Sequence, residues 1–204
     1  MPRKPGWLRP HGKPWIAGPE RAVFESAWIS VVDQVAIAPT GRPAQYGLVR
    51  FKNLAVAVLP LHEDGTITLV GQARFPLADY SWEIPEGGAP LVEDPLAGAK
   101  RELAEETGLQ AAEWREVLRA QLSNSVTDER MVGYLALGLS QTLAGPRPDE
   151  TEAIAIERVP FREALEACMA GHMPDILTVA MLLRGYHMAR EGSLPGALSR
   201  AMLG

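Results

Sequence analysis

The chain has 204 residues, 47% hydrophobic and 22% charged, the profile of one globular domain able to bury a real core and too short for two full ones. A formal net charge of −5 leaves no general basic field for nucleic acid or an anionic membrane, so a polyanionic substrate must be met by local groups. Cys168 is the only cysteine, which excludes an intramolecular disulfide and a thiolate zinc cluster and points to a reducing compartment, read as the cytoplasm.

In chain order, "MPRKPGWLRPHGKPWIAGPE" (Met1 to Glu20) is rich in Pro, Gly and Trp and reads as an irregular arm, taken to residue 26. Its basic residues are followed by no apolar run of the secretory type. β-Type segments follow at Ala27 to Ile37, Gln45 to Phe51, Leu54 to Leu61 and Thr66 to Phe75, with Asp64-Gly65 as a tight-turn signal. Further strands are expected at Arg130 to Leu139 and Ala153 to Val159. Phe161, Ala164, Leu165, Cys168 and Met169 fall on the stripe of an amphipathic helix, which makes Cys168 a core thiol. Asp175 to Arg190 opens with a capping Asp and, apolar almost all round in its first half, reads as a buried helix or an oligomer contact. Its apolar run, Ile176 to Leu183, is far short of the ~20 residues that span a bilayer. The last residues, 191–204, show no clear period. One domain, 27–190, with a single continuous core is the economical reading.

Between the two sets of strands lies "GGAPLVEDPLAGAKRELAEETGL" (Gly87 to Leu109). Asp94-Pro95 is a helix start and Gly108 a helix stop; Leu96, Ala99 and Leu103 face a core. Glu102, Glu105 and Glu106 stand three and four residues apart at the helix C-terminus. Like charges there repel by about 0.2–0.5 kcal/mol per pair, and each opposes the helix dipole by about 0.3–1 kcal/mol. A hard divalent cation would compensate, because oxygen ligands without His or Cys suit Mg²⁺ or Mn²⁺. The alternative is a solvated acidic face beside Lys100 and Arg101.

The wider spacing weighs against the solvated face. Gly87, five residues, Glu93, seven residues, then Arg101, Glu102, Leu103, Glu105, Glu106, Gly108 and Leu109 match every position of the signature of the Nudix hydrolases, which this chain resembles. The resemblance implies an α/β (α+β) Nudix fold, a mixed β-sheet sandwich between α-helices. It also implies hydrolysis of a nucleoside diphosphate linked to another group. Glu102 and Glu106 would be metal ligands, Glu105 a ligand or catalytic partner, the backbone carbonyl of Glu86 a further oxygen, and Arg101 the holder of the carboxylates. Glu93 would have an orienting role.

From about Ala27 to Arg184 the flanks resemble the branch of ADP-ribose pyrophosphatases and nucleotide-sugar pyrophosphatases. "GQARFPLADYSWEIPEGG" (Gly71 to Gly88) looks like the branch's approach to the box, with Arg74 reaching substrate phosphates and Glu83 near the metals. "PDETEAI" (Pro148 to Ile154) looks like its acidic loop, with Glu150 as general base and Glu152 as a metal ligand. At "SNSVTDE" (Ser123 to Glu129), Asn124 and Ser125 replace a Pro-Gly pair, which leaves nucleotide sugars other than ADP-ribose open; Glu129 is a candidate for substrate or metal. The branch implies a homodimer with exchanged N-terminal strands, making Trp28, Tyr46 and Arg50 candidate nucleotide contacts, against a plainer reading as strand packing and surface charge. Dinucleoside polyphosphates, nucleoside triphosphates, or a non-catalytic role in sensing ADP-ribose are the competing readings.

Overall fold

The computed structural model describes residues 3–204, which divide into two compact units. The first takes the chain up to Lys52 together with Ser123–Asp128; the second takes Asn53–Leu122 and Glu129–Gly204.

The first unit is an antiparallel sheet of β1 (Ile16–Glu25), β2 (Ile29–Ile37) and β3 (Pro43–Phe51), in that order. β1 falls largely in the stretch expected to be irregular. It is a strand because β2 gives it partners from Ile16 opposite Ile37 to Glu25 opposite Ser30, a tertiary gain that composition does not reveal. Gly18-Pro19 sits where the register slips, and β1 is an edge strand, the place in a sheet that tolerates proline. The segment Ser123–Asp128 joins β3 through Val49 N–H to the Val126 carbonyl (2.9 Å) and Phe51 N–H to Asp128 Oδ1 (2.8 Å).

The second unit contains two sheets. One orders β7 (Glu86–Pro90), β4 (Asn53–Pro60), β9 (Arg130–Gln141) and β8 (Leu109–Gln121), with β4 and β9 parallel. The other orders β10 (Ala155–Pro160), β5 (Thr66–Arg74) and β6 (Asp79–Glu83). β4 reads as an unbroken apolar run because both of its faces are covered. Val56 and Val58 pack with Ala99 and Leu103 of α1 (Pro95–Thr107). Ala57 and Leu59 pack with residues of α2 (Phe161–Met169), α3 (Ile176–Arg190) and α4 (Gly196–Leu203). The expected continuous core is thus two clusters, one on each side of the sheet. This is the mixed sheet between helices that the sequence led us to expect.

The helix starts follow their caps. Asp94 accepts from Leu96 N–H at 3.2 Å ahead of Pro95, Gly108 ends α1 in the left-handed region, and Asp175 accepts from Thr178 N–H at 2.7 Å. On α2 the stripe holds for Phe161, Ala164 and Cys168, all buried, whereas Met169 is 57% exposed. The Cys168 thiol donates to the Met173 carbonyl, as suits a core residue. α4, unforeseen, buries Leu198 and Met202. Its backbone at Ala201 passes so close to Gly65 that a Cβ there would lie 2.4 Å from the Ala201 carbonyl carbon, at a φ of +79°. The turn glycine therefore also seats the C-terminal helix.

Among the described residues, no helix is long and apolar enough to cross a membrane.

Candidate active site

α1 carries its carboxylates past the start of β7. Glu102 and Glu106, four residues apart, share the inner face of the helix; Glu106 is 3% exposed. Glu105 points outward, its side chain 43% exposed, and is held by Arg101 Nη1 at 2.8 Å. The same nitrogen reaches Glu102 Oε1 at 2.9 Å, while Nη2 donates to the Gly88 carbonyl at 2.8 Å. One guanidinium therefore ties the helix carboxylates to β7, a task for a planar fork that lysine lacks.

β7 runs so close to α1 that Gly87 has no room for a side chain. A Cβ there would stand 2.2–2.5 Å from the Glu102 carboxylate. Gly87 and Gly88 both lie in a strand, and what Gly87 permits is close approach. Gly87→Ala is expected to push Glu102 aside, lowering any divalent-ion-dependent turnover at least ~10²-fold while the fold persists. Circular dichroism beside an activity assay would check it, and unchanged turnover would mean that the Glu102 position is unimportant.

A second guanidinium organises the other side. Arg74, the last residue of β5, donates through Nε to both oxygens of Glu83 (3.0 and 3.1 Å), and through Nη2 to Glu83 and to Glu86 Oε1 (2.8 Å). The Glu83 and Glu86 side chains are 4% and 12% exposed. Glu86 N–H donates to Glu106 Oε2 at 3.1 Å, which links the Arg74 cluster to α1. The resemblance implied only a backbone role for Glu86; its side chain also belongs to the cluster.

Asp175, read from sequence only as a helix cap, is an additional member. One oxygen from each of Glu83, Glu86 and Asp175 lies within 4.8 Å of the others. Nothing in local sequence could reveal this, because Asp175 is brought in by the packing of α3.

Charge is crowded against burial here. The Glu106 carboxyl is pushed up to about 8, first by desolvation and then by Glu102, with Glu152 adding to it and the Glu86 N–H and Arg74 opposing. Desolvation likewise raises Glu102, with Arg101 opposing. Glu86 is driven well above the carboxylate range by burial, then by Asp175 and Glu83. Its Oε2 is buried without a hydrogen-bond partner. An oxygen-only donor set with more carboxylates than guanidiniums and an orphaned buried oxygen fits a hard divalent cation.

Other candidates lie elsewhere. Glu150 and Glu152 are exposed in the loop before β10. Glu152 accepts from Asp149 N–H at 3.3 Å and acts electrostatically on Glu102 and Glu106. Burial raises the Glu129 carboxyl. In the first unit, Tyr46 meets Trp15 edge-to-face with ring centroids 5.1 Å apart. Arg50 pairs with Glu20 (3.0 Å) and Asp128 (3.5 Å), and Trp28 is 69% exposed.

A mixed sheet between helices, with a glutamate helix crossing a glycine strand and two arginines bracing the carboxylates, defines a hydrolase of the Nudix type. The family model described as the NUDIX domain matches residues 51–178, and the chain belongs to that family of pyrophosphatases. It is 33% identical over 148 residues to the methanol dehydrogenase activator of Bacillus methanolicus, covering 72% of this chain and 79% of that one. It is 30% identical over 156 residues to the ADP-ribose pyrophosphatase of Bacillus subtilis strain 168, covering 76% and 84%. A crystal structure of an ADP compounds hydrolase superposes with a TM-score of 0.79 at 18% identity, covering 91% of this chain and all of the other. At that identity the likeness is one of fold.

Proposed function

We propose that the protein hydrolyses the pyrophosphate bond of a nucleoside diphosphate sugar, with ADP-ribose the first substrate, giving a nucleoside monophosphate and a sugar phosphate. The observation that carries this reading is the convergence of Glu102 and Glu106 with the Arg74–Glu83–Glu86 cluster across β7. Similarity to ADP-ribose pyrophosphatases supports the substrate class.

Mg²⁺, with Mn²⁺ able to replace it, would be held by Glu102 and Glu106 with an oxygen of Glu86 and, from the acidic loop, Glu152. When bound, it neutralises phosphate charge and lowers the pKa of water. The chain's own groups do the rest. Arg101 fixes the helix carboxylates, with Glu105 as its outer anchor. Arg74 keeps its Nη1 donors uncommitted to Glu83 and Glu86, so it can donate to a phosphate oxygen without releasing either. Glu150 is the proposed general base, since an exposed carboxylate beside Glu152 is free to swing to a water. Glu129 would contact the sugar side of the substrate.

Trp28, Tyr46 and Arg50 are proposed for nucleotide recognition. β1 and β2 display Val23, Phe24 and Val35, and the turn between them Trp28, each more than half exposed, which supports a homodimer formed through this sheet. The cytoplasm is the proposed location.

The test is incubation of the purified chain with ADP-ribose, other nucleotide sugars, a dinucleoside polyphosphate and nucleoside triphosphates in Mg²⁺, following monophosphate release. Fastest turnover of ADP-ribose supports the proposal. Turnover of triphosphates alone overturns the substrate class, and ADP-ribose binding without turnover overturns catalysis.

A further inference from the structure

Between Glu83 and Glu86 the chain leaves one sheet and enters another. β6 ends at Glu83 in the β10-β5-β6 sheet, and β7 begins at Glu86 in the β7-β4-β9-β8 sheet, so Ile84 and Pro85 belong to neither ladder. Buried backbone groups without a ladder must find other partners. Pro85 has no N–H to place, and its carbonyl accepts from Val58 N–H at 2.8 Å. The N–H of Ile84, a residue with 0% exposure, is donated to the side chain of Thr178, Oγ1, at 3.0 Å. Thr178 lies 94 residues away in sequence and is itself 0% exposed. It is held in turn: its own N–H bonds Asp175 Oδ2 at 2.7 Å, so the hydroxyl sits in the capped first turn of α3.

We infer that Thr178 is a positioning residue for the acidic site, its hydroxyl fixing the crossover from which Glu83 and Glu86 reach Arg74. On one side of Ile84, the Glu83 carboxylate takes Arg74 Nε. Two residues on, Glu86 takes Arg74 Nη2 by its side chain and gives its N–H to Glu106. A shift of this short segment therefore displaces three carboxylates and one guanidinium together. Packing alone does not call for threonine. The site lies among Leu177, Met181 and Leu182, all buried, where valine would have the same shape and no polar atom to satisfy. The hydroxyl is accounted for by the Ile84 N–H, which would otherwise be a buried donor without a partner.

This inference rests on the proposed hydrolysis only for its kinetic readout. Thr178→Val and Thr178→Ser would be prepared in the full chain and assayed with ADP-ribose and Mg²⁺, with exchange of the Ile84 amide followed by NMR and binding of Mn²⁺ alone by titration. The valine variant is expected to lower kcat ~10–100-fold with KM within ~3-fold, to speed Ile84 exchange, and to weaken Mn²⁺ binding. The serine variant, which keeps the hydroxyl, restores all three to within ~3-fold. A valine variant with kcat and Mn²⁺ affinity within ~2-fold of the parent overturns the inference, as does a loss that serine fails to rescue. If the parent chain hydrolyses no nucleotide, the functional reading fails by itself, and Ile84 exchange with Mn²⁺ binding still decides the role of Thr178.

Discussion

Glu106→Gln is expected to lower divalent-ion-dependent turnover by about 10³-fold or more, while making the metal-free protein more stable at neutral and alkaline pH. Both effects come from one fact: a carboxylate has been buried where only a cation would favour its charge. Glutamine keeps the size and can keep an oxygen for the Glu86 N–H, but offers no anion. Losing several kcal/mol of charge stabilisation at a reacting phosphate corresponds to three decades of rate. For stability, the carboxyl stands at about 8 in the folded protein against an ordinary 4.5. A raised carboxyl supports the folded state fully below about 4.5, and that support drains away as pH rises through about 8. Glutamine, which never ionises, escapes the loss. In EDTA the variant should melt no higher than the parent at pH 4.5, and roughly 5 °C or more higher at pH 8.5, which corresponds to about 2 kcal/mol. Added Mg²⁺ should raise the parent's melting temperature and barely move the variant's, since a ligand stabilises only the state that binds it. Equal melting of the two proteins at both pH values would show that Glu106 is not strained by its charge.

The glutamate helix was legible because its signals are local. Asp94-Pro95, Gly108 and the three- and four-residue spacing of the glutamates each state a helix property within one or two turns. β4 and β9 were legible because continuous apolar runs have few other uses. β7 was not: "EGGAP" has the composition of a turn, and becomes a strand only because Asn53–Ala57 supplies its partners. β8 hides for a different reason. Glu113 and Arg115 put charge on one of its faces and Glu116 and Arg119 on the other, and a bulge between Glu116 and Leu118 breaks its alternation. α4 did carry a signal, Leu194, Leu198 and Met202 at intervals of four, but eight residues are too few for periodicity to stand out. At the site the same division holds. The carboxylates of one helix could be read together, whereas Asp175 and Thr178 arrive by packing of an element more than seventy residues downstream of Glu102.

Arg74→Ala should be the most destabilising change at the site. Its guanidinium gives Glu83 three hydrogen bonds and Glu86 a fourth, and Glu83 at 4% exposure has little water to turn to. Removing one partner from a buried ion cluster costs about 3–5 kcal/mol, because the remaining charge stays desolvated; for a chain of this size that is roughly a 10 °C fall in melting temperature. The cost must depend on pH. Without Arg74 a cation that opposes the rise of Glu86 and Glu106 is gone, so these carboxyls, already raised in the folded state, rise further. Their contribution is present in acid and lost as pH increases. Urea unfolding of the metal-free variant should therefore show a deficit that is small near pH 5 and full near pH 8. Arg74→Lys separates charge from geometry: an ammonium restores one cation but cannot bridge both glutamates with a planar fork. It should recover about half of the stability and little of the turnover. A deficit below about 1 kcal/mol for the alanine variant, or one independent of pH, would mean that Arg74 does not hold the charge of this cluster, and it would then be free for substrate alone.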